Sequence, residues 1–248
     1  MDRLKIKQEQ FNFGKGITMN SQTLEAKQLA KMFDHTYLKP DATDANLEKL
    51  CQEALEIDAA MVAINTAWTE FCKEKLKDSD VHVGAAISFP LGQSGLVAKC
   101  EETKAAIEAG ADEIDYVIHI GKAKMHDWDY LEKEMEAIVS ICKDHHVLSK
   151  VIFENCYLEP EEIIELSKIA ARVKPDFIKT STGFGPSGAK VEDIKLMKEY
   201  CGAEVQVKAA GGIRNWEDCK AMLDAGATRI GTSSSLKILK EFEESKAK

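Results

Sequence analysis

A chain of 248 residues, 44% hydrophobic and 30% charged, is long enough for one large α/β domain and lacks the compositional bias of disorder. Its formal net charge of −9 gives no global attraction to nucleic acid or to an anionic membrane, so a phosphorylated ligand needs a local site. Seven cysteines, scattered and never in a C-x-x-C pair, read as free thiols of a reducing, cytoplasmic compartment rather than as disulfides or a zinc cluster.

Residues 1–22 are polar and charged, without the apolar core of a signal peptide, and are expected to form a loose or helical extension ahead of a domain at 23–248. No later apolar run approaches membrane-spanning length. From about Lys31 onward, short apolar runs alternate with amphipathic stretches, the pattern of parallel βαβ units. The spacing predicts strands near 32–37, 60–65, 81–88, 112–118, 147–154, 176–180, 205–209 and 228–232. Between them, helices carry buried stripes such as Leu47, Leu50, Cys51 and Ala54, or Leu131, Met135, Ile138, Val139 and Cys142. Ala109-Gly110-Ala111-Asp112 and Ala225-Gly226-Ala227-Thr228 recur where a helix should end and a strand begin, with glycine suited to the left-handed turn. Eight units without a G-x-G-x-x-G after the first strand fit a single TIM-type (β/α)8 barrel of the α/β class better than an open doubly wound sheet.

Barrel strands are covered on both faces, so charged residues within them need a reason. The exceptions are Asp34, Glu113, Asp115, Lys150, Glu154, Lys179 and Lys208, and side-chain alternation lets all point inward, toward the mouth where barrel chemistry is built. Lys179 closes the sixth strand ahead of the small polar run Thr180 to Gly183, a position suited to an amine nucleophile and equally to a plain ion pair with Glu113, Asp115 or Glu154. Lys208 closes the next strand, and a second ammonium together with burial would lower the pKa of the first toward about 7. Lys208 as a phosphate or carboxylate partner is the alternative. Asp115 is the acid/base that imine chemistry requires, or simply the neutralising partner of both lysines.

After the seventh and eighth strands stand Gly211-Gly212-Ile213-Arg214 and Gly231-Thr232-Ser233-Ser234-Ser235, where TIM barrels commonly hold phosphate, although a tight turn and a serine helix cap would look alike. Cys156 has no histidine placed to serve it and reads as packing, as do Trp68, Trp128 and Trp216. The six histidines show no metal-ligand spacing, and an imine serves as electron sink by itself, so no metal and no cofactor are expected.

The motifs Asp34-His35-Thr36-Tyr37-Leu38-Lys39-Pro40, Phe89-Pro90-Leu91-Gly92, Ala111 to Asp115, Phe177 to Gly183 and Lys208 to Arg214 together resemble the deoxyribose-phosphate aldolase family from about Asp34 to Leu239. The resemblance implies a class I aldolase that reversibly cleaves 2-deoxy-D-ribose 5-phosphate to D-glyceraldehyde 3-phosphate and acetaldehyde. It assigns Lys179 as Schiff-base lysine, Lys208 as the lysine that lowers its pKa and Asp115 as proton relay. Asp34 and Thr36 match polar residues beneath the pocket, and Thr182, Gly211, Gly212, Gly231, Ser233 and Ser234 match substrate and phosphate contacts. Ala63 stands where many relatives carry cysteine, and Phe184 where some place a lysine toward the phosphate. The expected partners are small sugar phosphates and aldehydes, with no nucleic acid and no membrane; a homodimer is left open. Two other functions remain at this point: a different Schiff-base aldolase, and a catalytically silent sugar-phosphate sensor, which would have no use for an activated amine.

Overall fold

The computed structural model describes residues 23–247, so the expected extension at 1–22 lies outside the described residues. Eight parallel strands close in chain order into a barrel: β1 (Phe33–Thr36), β2 (Met61–Asn65), β3 (His82–Ile87), β4 (Glu113–Val117), β5 (Leu148–Ile152), β6 (Phe177–Lys179), β7 (Gln206–Ala210) and β8 (Arg229–Thr232). A short α1 (Ala26–Ala30) precedes β1. The outer layer is formed by α2 (Asp44–Glu56), α3 (Thr69–Leu76), α4 (Leu96–Glu108), α5 (Ile120–Lys124), α6 (Trp128–Asp144), α7 (Pro160–Val173), α8 (Val191–Tyr200), α9 (Trp216–Asp224) and α10 (Ser235–Lys246). The α/β TIM-type barrel expected from the alternation is the observed fold. Among the described residues, no helix is long and apolar enough to cross a membrane.

The stripes on α2 and α6 are buried as their spacing predicts: that of α2 shares an apolar cluster with Val62 and Ile64 of β2, and that of α6 shares one with Ile114 and Tyr116 of β4. Helix ends set the strand entries. Gly110 and Gly226 take φ of 100° and 113°, and the amides of Ala111 and Ala227 reach back to the carbonyls of Ala106 and Met222, each at 3.0 Å. This six-to-one bond satisfies an orphan carbonyl and turns the chain straight into β4 or β8. The same closure recurs before β2 and β5, with Asp58 and His146 in the left-handed position; no glycine marks those two turns. Trp216 packs edge-on against Phe242 and Trp68 against Phe71, as packing residues would.

Strand bounds fall within one residue of the sequence reading except at the end of β5. β5 stops at Ile152, and Glu154 lies beyond it in a left-handed conformation that opens a 3-10 turn, so it does not continue the Lys150 face by strand alternation. β6 ends at Lys179, and Thr180 to Gly183 belong to the loop.

Among the described residues, one ion pair outside the barrel interior is wholly buried, between α4 and α6. Lys99 Nζ donates to Glu134 Oε1 and to the Val117 carbonyl, both at 2.7 Å, while Glu134 Oε2 accepts from the His119 amide at 3.0 Å. The pair clamps the C-terminal end of β4, two residues past Asp115. Removing one partner leaves an uncompensated buried charge, so Lys99→Met is expected to cost about 3–5 kcal/mol of stability in chemical unfolding. A loss below about 1 kcal/mol would show that the site accommodates the lone carboxyl by protonation or water.

Candidate active site

Inward-facing residues of seven strands meet in the barrel. Asp115 on β4 is the hub: its Oδ1 accepts from Lys150 Nζ of β5 at 2.6 Å, and its Oδ2 accepts from both Lys179 of β6 at 2.8 Å and Lys208 of β7 at 2.6 Å. The pairing of Lys179 opposite Lys208 follows from the β6–β7 register, in which both residues end inward-facing positions. Below them, Lys150 also meets Glu113 at 2.5 Å, Lys208 is ion-paired with Asp34, and Arg229 bridges Asp34 at 2.5 Å and Glu113 at 3.2 Å. His82 Nδ1 closes on Glu113 at 2.8 Å.

Four basic side chains (Lys150, Lys179, Lys208, Arg229) thus face three carboxylates (Asp34, Glu113, Asp115) in a space closed to solvent. A single surplus positive charge is costly in such a place, and the loss of one proton removes it. The group that yields is Lys179. Burial lowers its pKa to about 8, assisted by the ammoniums of Lys208 and Lys150 and opposed by Asp115. Burial acts on Lys150 in the same sense, but Asp115, Glu113 and Asp34 overcome it and push its pKa upward. For Asp115, burial alone would raise the pKa; the three lysines hold it well below the usual carboxylate range.

Above this network opens a cavity of about 470 Å³, and Lys179 is the one member of the network among its lining residues. Asp115, Lys208 and Asp34 lie beneath the cavity. Thr36 lines it, its hydroxyl donating to the Asp34 carbonyl at 2.8 Å. Thr182 lines it on the β6 loop, and Gly211, Gly212, Gly231 and Ser233 line it together with Arg214. Gly211 and Gly212 both carry positive φ, 88° and 81°, which turns the loop sharply after β7. Gly231 answers a different need: a Cβ there would lie 3.1 Å from Lys208 Cε, so the missing side chain leaves room for the lysine. Ser234 stands outside the lining as N-cap of α10, its amide bonded to Thr232 Oγ1 at 2.9 Å. The helix N-terminus and the glycine amides make the Gly211 to Ser233 end a natural anion seat.

Phe184 is half-exposed and packs edge-on against Phe89, with ring centroids 5.4 Å apart, so position 184 itself contributes no charge. Ala63 is buried in β2. Cys156 sits in the 3-10 turn after β5, its thiol raised by burial. No group of three His, Cys, Asp or Glu able to hold a metal is found among the described residues.

Arg229 escaped the sequence reading, whereas the buried, hydrogen-bonded His82 and His35 are structural histidines, as their lack of metal-ligand spacing suggests. Arg229 carries a charge inside an apolar strand run, the same signal that marked Lys150, and its place at the first residue of β8 hid it. His35 faces outward from β1, with Nε2 on Glu53 at 3.0 Å and Nδ1 on Ser235 at 3.1 Å, and ties the start of α10 to α2.

A family model described as DeoC/LacD family aldolase matches residues 28–241. A deoxyribose-phosphate aldolase of Lactobacillus acidophilus is 57% identical over 209 residues, spanning 84% of this chain and 88% of that protein. A second, from Bacteroides thetaiotaomicron, is 50% identical over 223 residues, 90% of this chain and 94% of the relative. Among solved structures, the tetrameric deoxyribose phosphate aldolase of Aeropyrum pernix aligns with a TM-score of 0.83 at 28% identity, over 98% of this chain and 97% of that one. A Schiff-base-forming fructose-1,6-bisphosphate aldolase, with a TM-score of 0.58 at 18% identity over 89% of this chain and 99% of that one, shares the fold.

Proposed function

The chain belongs to the DeoC/LacD aldolase family, and from that membership we propose how its own residues carry the chemistry: Lys179 as the Schiff-base nucleophile, Lys208 as the charge that keeps it deprotonated, and Asp115 as the acid/base. The enzyme is a class I aldolase that reversibly cleaves 2-deoxy-D-ribose 5-phosphate to D-glyceraldehyde 3-phosphate and acetaldehyde.

In the open-chain sugar, neutral Lys179 Nζ attacks the C1 aldehyde, and the aldehyde oxygen departs as water to give an imine. With the imine nitrogen protonated, the C3 hydroxyl gives its proton to the acid/base Asp115 and the C2–C3 bond breaks; its electron pair moves into the protonated imine to give the neutral enamine, and C3 leaves as the aldehyde of glyceraldehyde 3-phosphate. Protonation of the enamine at C2 and hydrolysis return Lys179 and release acetaldehyde. Asp115 bonds to the Lys179 nitrogen at 2.8 Å, within reach of the protons exchanged at that atom. The single observation that carries this assignment is that Lys179 alone among the buried cations opens onto the cavity, with its pKa brought down to about 8 by burial.

The substrate phosphate is assigned to the amides and hydroxyls of Gly211, Gly212, Gly231 and Ser233, with Ser234 contributing through the start of α10. Hydrogen bonds to a charged group are worth about 1.5–3 kcal/mol each, so 2-deoxyribose 5-phosphate is expected to exceed free 2-deoxyribose in kcat/KM by at least about a hundredfold. A coupled assay for glyceraldehyde 3-phosphate, and one for acetaldehyde with the free sugar, measure the ratio. Equal use of the two sugars would refute the phosphate seat, and a ratio below about tenfold would trace its weakness to Phe184. We also propose a homodimer, in keeping with self-association of the Aeropyrum pernix relative, and a cytoplasmic location, in keeping with seven free cysteines.

A further inference from the structure

Glu154 is a buried carboxyl that the chemistry above does not use. It follows β5 in a left-handed conformation, φ 56° and ψ 60°, that non-glycine residues rarely adopt, and it is 2% exposed. The conformation is held from both sides, the Asn155 amide donating to the Thr180 carbonyl at 2.9 Å and the Tyr157 amide to the Glu154 carbonyl at 3.1 Å. Among the described residues, no lysine, arginine or histidine nitrogen lies within 4.0 Å of its carboxyl oxygens. Its donors are neutral instead. Oε1 accepts from the Thr182 amide at 3.1 Å, Oε2 accepts from the Thr182 hydroxyl, and the Cys156 thiol lies against the same carboxyl. Gly185 makes room for this group, since a Cβ there would lie 2.5 Å from Cys156 Sγ.

The consequence falls on Thr182. A hydroxyl has one proton and two lone pairs. The Thr182 proton is committed to Glu154, and one lone pair already accepts the Phe184 amide at 3.0 Å. What remains for a ligand is a lone pair. A threonine hydroxyl ordinarily rotates to serve as donor or acceptor; here it is fixed as an acceptor and selects a ligand group that carries a hydrogen. Thr182 stands in the cavity between Lys179, three residues before it, and the phosphate end, where a Cβ on the neighbouring Gly183 would come within 4.0 Å of Gly211 Cα. A substrate anchored at both ends holds, between those anchors, the hydroxyl that stays on the three-carbon fragment.

We propose that Glu154 is a specificity-determining positioning residue: by taking the Thr182 proton it turns that hydroxyl into an acceptor for the substrate hydroxyl next to the phosphate-bearing carbon. The inference rests on the aldolase reading, with Lys179 as nucleophile and phosphate bound at Gly211 to Ser233.

The test runs the reaction in the bond-forming direction with acetaldehyde as donor and two acceptors: D-glyceraldehyde 3-phosphate, and the same phosphorylated three-carbon aldehyde without its 2-hydroxyl. The ratio of their kcat/KM values isolates the one hydroxyl. A neutral hydrogen bond supports a preference of about threefold to tenfold for the hydroxylated acceptor in the wild type. Glu154→Gly suits the left-handed backbone, so it removes the carboxyl without straining the fold. Freed of Glu154, the Thr182 hydroxyl can rotate into either role, so this variant is expected to lose part of the preference; Thr182→Val is expected to bring the ratio close to one, and the double variant to go no further than Thr182→Val, because both act through the same hydroxyl. Thr182→Ser keeps the wild-type preference. A Glu154→Gly enzyme that is slower with both acceptors but retains the wild-type ratio would overturn the proposal, and would reduce Glu154 to a field acting on Lys179. A wild type inert toward both acceptors would instead overturn the aldolase reading itself.

Discussion

Lys179→Met is expected to lower kcat/KM for 2-deoxyribose 5-phosphate cleavage by at least about 10⁴-fold at every pH, the scale on which loss of a covalent nucleophile ordinarily falls. Methionine nearly matches lysine in length and is apolar, so the floor of the cavity stays filled. The charge balance improves: Lys150, Lys208 and Arg229 then face Asp34, Glu113 and Asp115 one for one. The variant should therefore fold at least as firmly as the wild type, and unfolding by urea provides the control. A plain ion-pair role for Lys179 predicts the opposite pattern, a loss of stability with substantial activity left. Retention of activity within about tenfold of the wild type would exclude a covalent role for this residue.

Lys208→Met has a large effect of a different kind, because it leaves the nucleophile in place and changes its ionisation. With Lys208 gone, three cations including a protonated Lys179 balance the three carboxylates, and the surplus charge that favours release of the Lys179 proton disappears. Asp115, freed of one partner, attracts the Lys179 ammonium more strongly. Both changes raise the pKa of Lys179 from about 8. The neutral amine is the reactive form, so the acidic limb of kcat/KM moves to higher pH. Each unit of that shift costs about tenfold in neutral amine at pH 7, and an overall drop of about a hundredfold there is expected, with part of the rate regained as the pH is raised. Lys179→Met regains nothing. Loss of the Lys208 bonds to Asp34 and Asp115 also loosens the buried network, so the folded fraction has to be measured at each pH. An acidic limb unmoved in Lys208→Met would assign Lys208 to substrate contact rather than to tuning the nucleophile.

What the sequence made legible follows from the period of two along a strand. Asp115, Lys179 and Lys208 stood out as charges within strands that ought to be apolar, and alternation put them on one face, where they do meet. The eight strands were legible from the alternation of apolar runs with amphipathic stretches; glycine or proline punctuates only the joints before β4, β6, β7 and β8, and the turns at Asp58 and His146 carry no such mark. Alternation does not give height within the barrel. The stagger that brings Arg229 of β8 level with Glu113 of β4 is a property of closure, and no local spacing contains it. Glu154 was misread for the same reason in reverse. It was assigned to the Lys150 face as though β5 ran on to residue 154, whereas the strand ends at Ile152 and a left-handed turn aims the side chain at Thr182. The division between Ser233, on the cavity, and Ser234, capping α10, likewise depends on where the helix begins, which a run of three serines leaves open.

The most direct measurement is reductive trapping of the imine. The enzyme is incubated with acetaldehyde, reduced with borohydride, digested and mapped by mass spectrometry, with Lys208→Met and Lys179→Met treated in parallel. With Lys179 as the nucleophile, a single ethylated lysine is expected, on the peptide that contains Lys179; the adduct is weaker in Lys208→Met near pH 7 and absent from that peptide in Lys179→Met. An adduct on Lys150 or Lys208, or none on any lysine while the enzyme is turning over, would contradict it.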